Sequence, residues 1–166
     1  GPSRSMTRAE AAAIFARLLA EKNGDTISTA ANTKFADIPA HAWYSGYVKY
    51  LSNNGITYGK SKTVFAPNDA ITRAEFTTMA VRFFDVYGDG DAEIMEQFSG
   101  FNDVSSGYWA AEYIKYAALH GWINGYGDGS FHADREINRA EVVTIVNRLL
   151  GREADEDYIA DNLRKL

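Results

Sequence analysis

The feature that most constrains this chain is a helix start written three times. Met6-Thr7-Arg8-Ala9-Glu10, Ile71-Thr72-Arg73-Ala74-Glu75 and Ile137-Asn138-Arg139-Ala140-Glu141 each place Thr or Asn three residues before Glu. That spacing is a capping box: the Thr or Asn side chain accepts from the amide three residues on, and the Glu reaches back to the cap's own N–H. Apolar residues then follow at helical intervals: Ala11, Ile14, Phe15, Leu18 and Leu19; Phe76, Met79, Ala80, Phe83 and Phe84; Val142, Ile145, Val146, Leu149 and Leu150. This is the stripe of a core-facing helix, three times over. The last two helices are predicted over 72–86 and 138–150.

The arginine inside each copy is not needed by the cap. At the first helical position it meets the positive end of the helix dipole, which disfavours a cation by about 0.3–1 kcal/mol. Two roles are open for it. It pairs with a carboxylate of the fold, or it seats an anion beside the exposed helix amides; a pre-oriented arginine serves both. Arg17, Arg82 and Arg148 follow nine residues later, in the predicted last turn, where a cation suits the dipole. They read as structural.

The repetition extends beyond the caps. Residues 35–85 align with 101–151 without a gap, matching Phe35 with Phe101, Asp37 with Asp103, Trp43 with Trp109, Tyr47 with Tyr113, Gly55 with Gly121, Phe65 with Phe131 and Arg73 with Arg139. Residues 6–22 match the second half of that unit alone. The chain therefore divides into a 1–5 segment that reads as a cloning remnant, half a repeat with its linker (6–34), a full repeat with its linker (35–100), another full repeat (101–154) and a tail helix (155–166). Within each full repeat a Phe-x-Asp segment leads to a first helix, about 43–54 and 109–120. Trp43, Tyr47, Tyr50, Leu51 and Asn54 share one predicted face, as do Trp109, Tyr113, Tyr116, Ala117 and His120. Gly55 and Gly121 stand where a helix C-cap glycine belongs. Residues 93–98 are expected to add a helical turn, and Tyr158, Ile159, Asn162, Leu163 and Leu166 make the tail amphipathic.

Composition bounds the rest. The 166 residues are 46% hydrophobic and 13% aromatic, which suits a folded chain. A net charge of −5 with dispersed basic residues argues against nucleic acid or an anionic membrane as partner. The absence of cysteine excludes disulfides and thiolate metal sites. No run is long enough for a membrane-spanning helix.

The order Phe-x-Asp, Trp, Gly121-Trp122-Ile123-Asn124-Gly125-Tyr126-Gly127-Asp128-Gly129-Ser130-Phe131, then Ile-[Thr/Asn]-Arg-Ala-Glu resembles the S-layer homology (SLH) domain. The resemblance covers nearly everything between 6 and 150 and is fullest in the last copy. It implies an all-α fold of tandem repeats packed as a pseudo-threefold helical bundle. It also implies an exported bacterial module, at the cell wall or S-layer surface, whose grooves bind an acidic secondary cell-wall polysaccharide carrying pyruvylated amino sugars. The motif arginines Arg8, Arg73 and Arg139 would grip the ketal carboxylate. Asp37 and Asp103, Trp43 and Trp109, and the loop residues Tyr126, Gly127, Asp128 and Gly129 are the other candidates. Two departures stand out. The middle loop, Gly59-Lys60-Ser61-Lys62-Thr63-Val64, has lost Asp-Gly, and the first unit lacks its first helix and loop. The tail or a partner chain, including self-association with another copy, is expected to fill that gap.

Blander readings accompany several candidates. Helical spacing with Tyr47 and Tyr113 favours core packing for the two tryptophans, with groove-edge stacking open. Tyr44, Tyr58, Tyr108 and Tyr126 fall outside the stripes and suit exposed sugar contacts better. The loop at 125–129 lacks the Gly-Lys-[Ser/Thr] ending of a phosphate loop and reads first as a tight turn. Asp85, Asp89, Asp91 and Glu93 miss the EF-hand spacing and read as a solvated acidic loop. His41, His120 and His132 have no metal-ligand spacing, so neither metal nor cofactor is expected. The chain is read as a non-enzymatic anchor. A protein-interaction or lattice module, and a wall-glycan hydrolase using paired carboxylates, are the alternatives.

Overall fold

The computed structural model describes residues 1–88 and 98–152, and among them the chain is helical with no extended strand. Five helices follow in order: α1 (Arg8–Asn23), α2 (Ser45–Asn53), α3 (Arg73–Tyr87), α4 (Ala111–Leu119) and α5 (Arg139–Leu149). All three capping boxes form with both of their bonds, at Thr7/Glu10, Thr72/Glu75 and Asn138/Glu141. These caps start α1, α3 and α5, and the stripes behind them make the core. Phe15 lies between Phe76 and Phe83, with ring centroids 5.2 and 4.9 Å away.

The three helix starts meet at a closed ring. The Met6 amide donates to the Ile137 carbonyl at 3.1 Å, Ile137 donates to Ile71 at 3.0 Å, and Ile71 donates to Met6 at 2.9 Å. All three side chains are buried at that hub. This is the pseudo-threefold arrangement that the family resemblance implies. Residues 1–5, expected as a cloning remnant, are built into it. The Pro2 and Arg4 carbonyls accept from Ala140 and Arg139, as Pro67 and Asp69 accept from Ala9 and Arg8, and Ala133 and Arg135 from Ala74 and Arg73. Gly1-Pro2 thus occupies the register of Ala66-Pro67.

The short helices lie across the long ones, α2 on α1 and α4 on α3, while α5 touches α3 alone among the helices. Among the described residues no short helix lies across α5. The N-terminal helix α1, where the gap was expected, is covered. The expected tail helix lies outside the described residues, as does the predicted turn at 93–98 apart from Phe98.

The first helices begin two residues later than expected, and that shift reverses one assignment. Trp43 and Trp109 sit in the turn ahead of α2 and α4, so helical spacing does not govern them. They are 55% and 57% exposed, not core. Tyr44 takes the inward place and is buried with Val48 and Leu51. Arg17 and Arg82 also fall short of the last turns, because α1 and α3 run on to Asn23 and Tyr87.

His120 ends α4 in an aromatic nest. It stacks on Trp122 at 5.0 Å and lies 4.2 Å from Tyr116, and its buried Nδ1 has no hydrogen-bond partner among the described residues. Burial pushes its pKa below the ordinary 6.5. The folded state therefore prefers neutral imidazole. This contribution to stability is full above the ordinary value and is lost as pH falls from there through the depressed folded value. Thermal unfolding followed from neutral to mildly acidic pH is expected to show that loss, and His120→Gln to flatten it.

Candidate functional site

Two of the three motif arginines, Arg8 and Arg73, serve the next unit's cap. The Arg8 guanidinium, 4% exposed, lies 3.0 Å from Glu75 Oε1 and donates to the Phe65 carbonyl at 2.7 Å. Glu75 uses its other oxygen on the Thr72 amide. Arg73, 6% exposed, repeats this with Glu141 at 3.1 Å and the Phe131 carbonyl at 2.9 Å, and adds the Asn124 carbonyl at 3.3 Å. The guanidinium planes lie over the Phe65 and Phe131 rings, 4.9 and 4.5 Å from their centroids. Burial lowers both arginines' pKa, opposed for Arg8 by Glu75 and for Arg73 by Tyr126 and Glu141. Arg139 departs from the series. It is exposed, and Arg4 takes the Glu10 carboxylate that symmetry would assign to it.

Asp37 and Asp103 hold the loops in place. Asp37 accepts from the Phe65 and Ala66 amides at 2.9 and 2.7 Å, and Asp103 from Phe131 and His132 at 2.7 and 2.8 Å. Burial raises the Asp103 pKa, but these amide bonds outweigh it and hold the group below its ordinary 3.8. Neither aspartate lines a groove.

Two grooves open beside the buried arginines. The Arg8 groove, about 470 Å³, is walled by Tyr58 and Lys60 from the middle loop, by Glu75, Thr78, Met79 and Arg82 from α3, and by Trp109 from the turn before α4. The Arg82 guanidinium lies 4.6 Å from the Tyr58 ring centroid and donates to the Tyr113 hydroxyl at 3.4 Å. Lys60 pairs with Asp69 at 3.2 Å. The buried Thr78 hydroxyl has no partner among the described residues. The Arg73 groove, about 310 Å³, has the equivalent parts from the last repeat, including Trp122, Asn124, Tyr126, Glu141, Thr144 and Arg148. No tryptophan stands where Trp109 closes the other groove.

The candidates are thus brought together unequally. Arg8 and Trp109 share one groove; Arg73 and Tyr126 share the other. Arg139 lines neither groove. Gly127 and Asp128 stay outside the grooves, and Gly129, at φ +81°, makes the turn. Asp128 caps that turn through the Ser130 amide and hydroxyl, at 3.0 and 2.5 Å. Of the four tyrosines, Tyr58 and Tyr126 are exposed, Tyr44 is buried, and Tyr108 is bound to Asp134 at 2.7 Å. Sequence reasoning missed Arg82, Arg148, Lys60 and Glu75. For Arg82 and Arg148 the signal was recurrence nine residues after the motif arginine; Glu75 was read only as a cap and Lys60 only as part of the altered loop.

Gly125 shows how tightly the loop is packed. A Cβ there would press on the Phe101 ring and come 2.6 Å from the Ser130 carbonyl. Gly125→Ala is expected to cost about 1–3 kcal/mol of stability, the usual penalty of overpacking, as measured by urea unfolding.

Two stretches, 34–77 and 100–143, match the model of the S-layer homology domain, together more than half of the chain. The chain belongs to the SLH family, a family of the bacterial cell surface. It is 33% identical over 153 residues to a cellulosome-anchoring protein of Acetivibrio thermocellus, covering 91% of this chain and 33% of that protein. It is 32% identical over 153 residues to a surface-layer 125 kDa protein of Lysinibacillus sphaericus, covering 90% of the chain and 12% of the relative. An exoglucanase, XynX, of Acetivibrio thermocellus is 33% identical over 149 residues, covering 90% of the chain and 13% of the enzyme. The chain spans a third or less of these relatives' lengths. No helix among the described residues is long and apolar enough to cross a membrane.

Proposed function

We propose that this chain anchors a larger exported protein to the bacterial cell wall, by non-covalent binding of an acidic, pyruvylated secondary wall polysaccharide in the Arg8 groove. One observation carries the reading: three repeats converge there, with Arg8 and Arg82 beside the exposed rings of Tyr58 and Trp109. Cations beside aromatic faces suit a sugar bearing a carboxylate. Arg8 sits deep and is neutralised by Glu75, so its part is to hold the groove's shape. Arg82 and Lys60 are the cations that a ligand meets first. The one carboxylate lining this groove, Glu75, is committed to Arg8 and the Thr72 cap, which suits a binder better than a hydrolase.

Calorimetric titration with purified wall polymer, before and after removal of its ketal acids, tests this. Binding is expected to need the acid and to weaken as salt rises. Binding indifferent to both would assign recognition to the aromatic rings alone. Binding to a partner protein and not to polymer would overturn the reading.

A further inference from the structure

Three Asn-Gly steps stand in the sequence, at 23–24, 54–55 and 124–125. Such a step is chemically fragile, because glycine has no side chain to keep its own amide nitrogen from reaching the asparagine side-chain carbon. The fold protects two of the three. Gly24 and Gly55 stand at helix ends, and their N–H groups donate to the Glu21 carbonyl at 3.4 Å and the Ser52 carbonyl at 3.2 Å. The Gly125 N–H has no acceptor among the described residues, and Asn124 is exposed to water. Two arginines also act on Asn124. Arg73 donates to its backbone carbonyl at 3.3 Å, and Arg148 donates to its side-chain oxygen at 3.3 Å. The first bond favours the anionic form of the peptide group 124–125, so it makes the Gly125 N–H easier to deprotonate. The second polarises the carbon to be attacked and stabilises the oxyanion that forms there.

We propose that Asn124 is a self-modification site, which the fold of the last repeat primes for conversion to aspartate or isoaspartate. The Gly125 nitrogen gives its proton to a solvent base and bonds to Cγ of Asn124. The Cγ–Nδ2 bond then breaks, and ammonia leaves with a proton taken back from that base. Water adds to either carbonyl of the resulting cyclic imide, which opens to aspartate or to isoaspartate. The balance is one water consumed and one ammonia released, with no change of oxidation state. The carboxylate formed would neutralise Arg148, which no carboxylate pairs among the described residues, and would make the Arg73 groove unfavourable for an acidic ligand. The Arg8 groove is immune, since Tyr58 holds the equivalent place ahead of Gly59. This consequence rests on the reading of the grooves as seats for acidic sugar; the modification does not.

Peptide mapping by mass spectrometry tests this, with the chain aged in mildly alkaline buffer, either folded or in urea. In urea the three Asn-Gly steps are expected to convert at similar rates, because only their local sequence then acts. In the folded chain Asn124 is expected to convert faster than Asn23 and Asn54 by about tenfold or more, and Arg148→Ala to slow it by a similar factor. Arg148 is exposed, so its removal leaves the core intact. Folded-state rates alike at all three steps would overturn the proposal, as would a lead for Asn124 that persisted in urea. So would an unchanged rate at Asn124 in Arg148→Ala, because the fold would then expose the step without priming it. Asn124→Asp, titrated with wall polymer, separates the consequence from the modification. Weaker binding, or fewer fragments bound, would support a silenced groove. Unchanged binding would reject the silencing, while the mass shift of the aged parent would keep the modification.

Discussion

Replacing Arg8 by alanine is expected to cost about 3–5 kcal/mol of folding stability, the range seen when one partner of a buried ion pair is removed. The guanidinium is nearly inaccessible, and its loss strands Glu75 Oε1 and the Phe65 carbonyl together. Arg73→Ala is expected to cost less. Arg135 also bonds Glu141 and keeps that carboxylate paired, so the main loss is at the Phe131 and Asn124 carbonyls. Arg139→Ala, at an exposed residue, is expected to stay within about 0.5 kcal/mol of the parent. The same motif letter thus yields three different costs. Urea unfolding with unchanged slope reads them on one scale. Equal costs for all three would mean that the arginines act locally on their own helix starts, and not on the next unit's glutamate.

That ordering also shows what the sequence could and could not reveal. The caps, the long helices and their stripes were legible because local rules govern them: a capping box is satisfied within four residues, and helical spacing follows from it. The arginine puzzle was legible as a puzzle, since the cap does not need a cation at that place. Its answer was not. Arg8 and Glu75 lie far apart in the chain and meet only when the three starts close their ring. The tryptophans failed for a different reason. A start two residues later than expected takes Trp43 and Trp109 out of the periodicity that had placed them inside. Asp37 and Asp103 were picked out by recurrence, which marks a residue that clamps the loop as readily as one that touches a ligand. The inequality of the grooves was legible only in part: the altered middle loop and the incomplete first unit stood in the sequence, but which groove Trp109 walls depends on which helix lies across which.

Trp109→Ala is expected to weaken polymer binding by about 30-fold or more, the scale of an aromatic hot spot worth 2 kcal/mol or above. Folding stability should barely change, since the ring is 57% exposed. Trp43→Ala is the matched control. The two rings share sequence context, turn and exposure, but Trp43 lies outside the Arg8 groove. It is therefore expected to leave binding within about twofold of the parent, a change of roughly 0.4 kcal/mol. Arg82→Ala should follow Trp109→Ala, with a shallower salt dependence, because it removes a cation that no carboxylate neutralises among the described residues. If instead Trp43→Ala and Trp109→Ala weaken binding equally, the ligand does not discriminate between a walled groove and an open one. Recognition would then rest on exposed indole rings as such. If neither matters, the Arg8 groove is not where the polymer lies, and the Arg73 groove, with Tyr126 and Arg148 on its walls, becomes the site to mutate next.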